Sequence, residues 1–370
     1  MITLFLCGDV MTGRGIDQIL PFPSNPNVYE PYVSDAREYV QLAEEKNGAI
    51  EKPVNFDYIW GDALNYLEKL APHFRIVNLE TSITTSEDYL EGKQINYRMN
   101  PKNTPCLTAA KIDCCVLANN HVLDWGYSGL AETLDTLKMV GIKKSGAGRN
   151  NQESESPTVL EIQGKGRVLV FSFGSETSGV PLDWAATENK PGINVLGSLS
   201  NDEIRHIQRL VETYKRQNDI VLVSIHWGSN WGYQVPDEQQ SFAHNLIDEA
   251  DVDLIHGHSS HHPKGMEVYK NKLILYGCGD FLNDYEGIGT FEDFRGDLGL
   301  MYFAILEANS GNLQSLQMIP TQIKNLKVNN PSKNDVLWLI KILKRESKKF
   351  GCNIEFRGGY LWLKGSFHEP

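Results

Sequence analysis

Short apolar runs alternate with stretches of helical period along most of the chain. The runs at 2–7, 75–78, 114–118, 168–173, 220–225, 253–255 and 273–276 are too short for buried helices and predict strands. Two later runs, 298–306 and 313–319, predict two more. Between the runs, helical spacing covers 61–70, 129–140, 201–217 and 237–250. Ser200-Asn201-Asp202-Glu203 opens the third of these helices with N-cap residues and early acids. Strand–helix alternation predicts a layered α/β fold with much parallel pairing. The late strands have few helices between them, which predicts a mixed sheet or a second sheet.

Three segments stand outside this alternation. Residues 21–56 carry Pro, Asn, Tyr and charge around a helix pattern near 35–45, and read as an insertion over one face. Residues 150–156 are polar and turn-like. Residues 334–350 form a basic amphipathic helix, with Lys341, Lys344, Arg345, Lys348 and Lys349 against Glu346, read as the solvated face of a docked helix. The organisation expected is one domain over 1–325, then a helix-and-strand appendage over 326–370 packed on it. A length of 370 residues suits one large domain with insertions.

The polar residues that follow the apolar runs carry the chemistry. Gly8-Asp9 and then Arg14 follow the first run, and Asn78-Leu79-Glu80 the second. Asn119-Asn120-His121 and Asp124 follow the third, and His226-Trp227-Gly228 closes the run at 220–225. The next run leads into a loop that packs four of the ten histidines into seven residues, His256, His258, His261 and His262. Gly279-Asp280 follows the run at 273–276. Each piece alone is a common turn. Together they gather ligand and acid/base side chains on one rim, because ligands of α/β sheets bind outside the carboxyl ends of the strands. Asp, Glu, Asn and His in combination suit zinc, manganese or iron better than calcium. His73, His206, His244 and His368 lie outside these motifs and read as ordinary.

Composition narrows the reading. Hydrophobic residues make up 41% and charged residues 22%, ordinary for a globular protein, and the formal charge of −12 argues against a nucleic-acid partner. The six cysteines, at 7, 106, 114, 115, 278 and 352, show no CxxC spacing, which fits a reducing compartment. The start MITLFLCGD lacks a basic n-region and reads as a strand, and no later window is apolar enough for an integral membrane span. A cytoplasmic location is expected.

Asp9 in GDVMTGRG, Glu80 in IVNLETSIT, His121 in LANNHVLDWG, His226 in SIHWGSNW, His258 and His261 in IHGHSSHHPKG, and the late YGCGDF occur in an order that resembles the CapA family of capsule and poly-γ-glutamate biosynthesis proteins. The resemblance runs over residues 2–305. That family resembles the calcineurin-like metallophosphoesterases, which implies a four-layered α/β/β/α sandwich with mixed sheets and one or two divalent ions, Mn, Zn or Fe, on the strand-end loops. Carried over, Asp9 is a ligand of a first metal and Glu80 the bridging carboxylate. Asn120, His226 and His258 hold a second metal, His261 returns to the first, and His121 is the acid beside the site. Three positions depart from the phosphoesterase pattern. Met11 stands where a His is usual, the bridging carboxylate is Glu rather than Asp, and His258-x-x-His261 is one residue longer than His-x-His. The first metal is therefore expected to be one ligand short.

The resemblance implies a metal-dependent hydrolase acting on a phosphoester or a γ-glutamyl amide, its partner an anionic polymer or a phosphorylated small molecule. His121, Asp124 and Arg14 are the candidate catalytic residues, with Asp124 orienting His121. Arg14 is either a clamp for a phosphate or carboxylate or a structural pair with a neighbouring acid. Trp227 and Trp231 are candidate pocket walls. The opposing reading is a non-catalytic polymer-binding or assembly component that keeps the site as a remnant.

Overall fold

The computed structural model describes residues 1–289 and 292–364. Its strands assemble into two large mixed sheets. In the first, Ile2–Val10 lies between Phe74–Leu79, its parallel neighbour, and Leu298–Leu306, its antiparallel neighbour. Cys114–Val116 and Lys143–Ser145 continue the parallel side. Leu313–Ile323 and the hairpin Asn353–Arg357/Tyr360–Lys364 continue the antiparallel side. In the second, Gly166–Ser175, Ile220–His226, Leu254–His258 and Lys272–Leu275 run parallel. Thr158–Ile162 and Met266–Tyr269 flank them antiparallel.

Period-2 alternation explains how the sheets stack. Along Ile2–Val10, Leu4 and Leu6 point into the core between the sheets, while Phe5 and Cys7 join the core beneath an outer helical layer. Along Ile220–His226, Ile220 and Leu222 face the inter-sheet core, while Val221, Val223 and Ile225 face the opposite helical layer. Both faces are therefore apolar, which is why these strands read as continuous hydrophobic runs. Ala63–Leu70 and Gly126–Met139 cover the first sheet through Leu67, Leu130, Leu134 and Leu137. Asn201–Tyr214 and Asp237–Glu249 cover the second through Ile204, Ile207, Phe242 and Leu246. The result is the α/β/β/α sandwich.

Several elements differ from the sequence reading. Residues 150–156 hold a short helix, Asn151–Glu155, capped by the Asn150 side chain. The strands Thr158–Ile162 and Met266–Tyr269 escape the apolar-run criterion, because these outer strands are only partly buried and each carries a glutamate, Glu161 and Glu267. The segment after residue 325 supplies three strands among the described residues rather than one, Val328–Asn329, Asn353–Arg357 and Tyr360–Lys364, and its Leu343, Ile354, Leu361 and Leu363 enter the inter-sheet core. The helix Arg37–Asn47 carries the insertion. His368 lies outside the described residues.

Candidate metal centre

The carboxyl ends of strands from both sheets meet at one rim. A hydrogen bond between His256 Nε2 and the Cys7 carbonyl, 2.7 Å, ties the two sheets together just behind it. Gly8 allows this closeness. A Cβ there would lie 1.6 Å from the Gly279 carbonyl oxygen, so only glycine lets the first strand pass the turn that leads to Asp280.

Asp9 sits at the centre. Its Oδ1 accepts from Asn78 Nδ2 at 2.7 Å and its Oδ2 from the Ser259 amide at 3.2 Å. Two groups of ligand-type atoms, each within 4.8 Å of one another, share it: Asp9 with His226 and His258, and Asp9 with His261 and Asp280. Asp280 is the residue the sequence reading left out of its ligand set. It pairs in register with Asp9 on the adjacent parallel strand, Asp280–Leu282, and bonds His261 Nδ1 at 2.9 Å. Its only sequence signal is an acid at one more strand end. Met11 is fully buried under Tyr285, whose hydroxyl lies 3.6 Å from its sulfur. The missing histidine thus has a carboxylate counterpart from elsewhere in the chain. Glu80 Oε1 stands 3.6 Å from His226 Nε2 and 3.8 Å from His121 Nε2, so it borders one group, whereas Asp9 belongs to both.

Burial sets the protonation of these residues. Burial and the neighbouring Asp280 charge raise Asp9 to about 7, and burial with the Asp9 charge pushes Glu80 well above the usual carboxylate range. Burial drives His226 and His258 well below 6.5, while His261, despite burial, is raised by Asp280 and Asp9. A neutral imidazole has one N–H, so its tautomer follows from its partners. The Cys7 carbonyl can only accept, so His256 Nε2 carries the proton. His256 Nδ1 then accepts from the Ser224 hydroxyl at 3.1 Å, and Ser224 Oγ accepts from His258 Nε2 at 2.8 Å. His258 Nδ1 is left as a lone pair facing His226 Nδ1 at 2.7 Å and Asp9. His256 and Ser224 therefore orient a ligand atom without touching the centre.

Three observations fit a divalent cation here. The donors are buried carboxylates and neutral imidazoles, the set that zinc, manganese and iron take. Glu80 Oε2 and Asn120 Oδ1 are buried with no hydrogen-bond partner among the described residues. Asp9, Glu80 and Asp280 crowd three carboxylates together, a cost that a cation removes.

His121 stands beside the centre, with its ring edge-on to Tyr97. Its Nδ1 bonds Asp124 Oδ2 at 2.7 Å, and burial lowers its pKa to about 4, so the neutral ring holds its proton at Nδ1 and turns the Nε2 lone pair toward Glu80. Lys93 comes unannounced from a polar loop. Its ammonium reaches Asp124 and the Asn120 carbonyl and lies 3.0 Å from His121 Nδ1. Nothing in the sequence around Lys93 marks it, because the contact is made by loop folding alone.

The remaining candidates divide. Arg14 is buried, with Nε and Nη2 on Asp284, Nη1 on Glu30, and its guanidinium 3.8 Å above the Tyr39 ring. All three nitrogens are committed inside the protein, which matches the structural-pair alternative. Trp227 is 1% exposed, donates to the Tyr276 carbonyl and packs on Phe242, so it belongs to the helix-side core and does not wall the pocket. Trp231 does wall it, 5.2 Å from the His261 ring.

The arrangement defines a class: an α/β sandwich with a buried histidine–carboxylate centre at its strand ends. Within that class, residues 3–285 match the family model described as bacterial capsule synthesis protein PGA_cap, and the chain belongs to this family. It is 44% identical over 358 residues to a "probable polyglutamine synthesis accessory protein" of Mycobacterium tuberculosis, covering 96% of this chain and 94% of that one. The capsule biosynthesis protein CapA of Bacillus anthracis is 25% identical over 286 residues, 76% of this chain and 60% of that one. The PGA biosynthesis protein CapA of Bacillus subtilis is 28% identical over 250 residues, 66% of this chain and 60% of that one. No helix among the described residues is long and apolar enough to cross a membrane.

Proposed function

We propose that this protein is a divalent-metal-dependent hydrolase of poly-γ-glutamate and capsule metabolism, acting on a γ-glutamyl amide or a phosphoester. The observation that carries the reading is the pair of ligand groups sharing Asp9, with a proton-transfer dyad alongside. Asp9, His261 and Asp280 would hold one ion, and Asp9, His226 and His258 another, with Glu80 and Asn120 offering their unpartnered oxygens. A bound divalent ion would activate water and polarise the scissile group. Asp124 fixes the His121 ring with the proton on Nδ1. His121 Nε2 would take the proton that the attacking water gives up and deliver it to the leaving group, a general acid–base contribution of roughly 10²–10⁴-fold. Lys93 secures Asp124 against rotation. Trp231 excludes water on the cleft side, and Arg14 braces the wall rather than the substrate.

The test uses protein loaded with Mn, Zn or Fe and offered aryl phosphates and poly-γ-glutamate. Cleavage of one of them, lost in His121→Gln with metal content unchanged, is expected. Bound metal without cleavage of either would overturn the hydrolase. The relatives named as accessory proteins favour a second reading, a polymer-handling component of synthesis. Elemental analysis of protein purified without chelators separates the two, because a remnant site holds no metal.

A further inference from the structure

A cleft of about 1060 Å³ opens beside the centre, with His261, Trp231 and Tyr285 at one end. Sites for drug-sized ligands span about 300–1,000 Å³, so this space exceeds what a phosphoryl group or a single amino acid needs. Residues of the insertion helix Arg37–Asn47 and of the turn after Leu313–Ile323 line it as well.

The charges lining the cleft are unequally engaged. Arg14 is spent on Asp284 and Glu30, and Arg295 on Asp297 and Asp335. Glu286, 5% exposed, accepts from Asn47 Nδ2 and from the amides of Asn325 and Leu326. Lys46 and Lys324 remain. Neither ammonium has a hydrogen bond or ion pair among the described residues, and Lys46 feels Glu286 only at longer range. Their positions are fixed nevertheless. Glu286 ties Asn47, next to Lys46, to Asn325, next to Lys324, and the Asn325 side chain also donates to the Gly48 carbonyl at 3.0 Å. Two cations without a partner among the described residues thus line one cleft from segments that Glu286 joins. Val33, Leu42 and Ile288 line the cleft as well. Asp293, on the facing loop, is the one lining carboxylate left without a partner among the described residues.

We propose that Lys46 and Lys324 form a second anion subsite, so that the ligand is a chain bearing repeated carboxylates separated by aliphatic segments. One end lies at the metal centre while a carboxylate further along is held by the two lysines. The apolar wall accommodates the methylenes between charges, and a compact monoanion would reach only one end. This deepens the hydrolase reading and rests on it for the location of the reacting end, but the lysine subsite is tested without turnover.

The experiment is calorimetric binding of a γ-linked glutamate hexamer, free glutamate and 4-nitrophenyl phosphate to wild type and to the Lys46→Gln/Lys324→Gln double variant. Both lysines are exposed, so the variant is expected to keep the wild-type melting temperature, which is checked first. The hexamer should bind wild type more tightly than glutamate does and lose about ten-fold in the variant, the effect of two exposed charge pairs. Aryl phosphate binding should be unchanged. Equal hexamer affinity in the two proteins, or no preference for the hexamer over glutamate, overturns the subsite. If nothing is cleaved yet hexamer binding depends on the lysines, the hydrolase reading fails and the subsite stands. If the hexamer is cleaved with the same KM in both proteins, the reverse holds.

Discussion

At the residue scale, two buried side chains make separate predictions, one about metal affinity and one about stability. Ser224 links His256 to His258 and leaves His258 Nδ1 unprotonated toward the centre. Ser224→Ala removes that link with almost no change in volume. Metal affinity is expected to fall about 10–100-fold with the fold intact, the usual effect of losing an orienting partner, and titration calorimetry reads it. Unchanged affinity would mean the tautomer is set elsewhere. Lys264 is 2% exposed, and burial lowers its pKa to about 8 without a carboxylate to offset it. The folded pKa lies below the ordinary 10.5, so the protein carries the penalty of a buried charge below pH 8 and loses it as pH rises toward 10.5. Lys264→Met should therefore stabilise the protein at pH 7 by about 1–3 kcal/mol, and the gain should shrink above pH 8. Urea unfolding at pH 7 and 10 measures both.

Elements, rather than single residues, bring the ligands together. Gly8 lets Ile2–Val10 run against the turn at Gly279, which puts Asp9 beside Asp280. Gly8→Ala should cost about 3 kcal/mol or more, since the backbone itself must move. It should also abolish metal binding, because the shared Asp9 and its neighbour Asp280 both shift. A chemical denaturation curve and a metal titration test the two halves separately, and a variant with unchanged stability would contradict the close approach. The element scale also shows what was legible. Ile220–His226 could be read directly, because residues buried on both faces give a run that is apolar but for Ser224 and ends at His226. Asp280 appeared in the sequence as one more strand-end acid. Its partnership with Asp9 depends on parallel pairing between segments far apart in the chain, which no local pattern reports.

For the whole molecule, the proposed metal centre would link pH and metal binding through its buried groups. His121, His256 and His262 are lowered by burial to about 4, and His226 and His258 well below 6.5. Their contribution is full above pH 6.5 and is lost as pH falls toward 4. Asp9 and Glu80 carry the opposite sign. Their folded pKa is raised, so their contribution is full below about pH 4 and is lost as pH rises, through about 7 for Asp9, in metal-free protein. A cation needs ionised carboxylates and neutral imidazoles, so it relieves this loss and competes with protons below it. Added metal is expected to raise Tm strongly at pH 7.5, by the equivalent of about 2.7 kcal/mol at a hundred-fold excess over Kd, and little at pH 5. Thermal melts with metal and with chelator at both pH values check this. An equal gain at both would place the metal elsewhere.

The sequence by itself determined the inner strands and the long covering helices, the rim on which the polar residues gather, and the family, because hydrophobic period and motif order are local properties of the chain. Tertiary structure alone decided which acid completes the second ligand group, which residues fix the histidine tautomers, and where the cleft lies. It also committed Arg14 to Glu30 and Asp284 and drew Lys93 to His121. These are contacts between segments brought together by sheet pairing and loop packing. A burial pattern states that a face is covered, and the physical identity of what covers it is set only when the chain closes on itself.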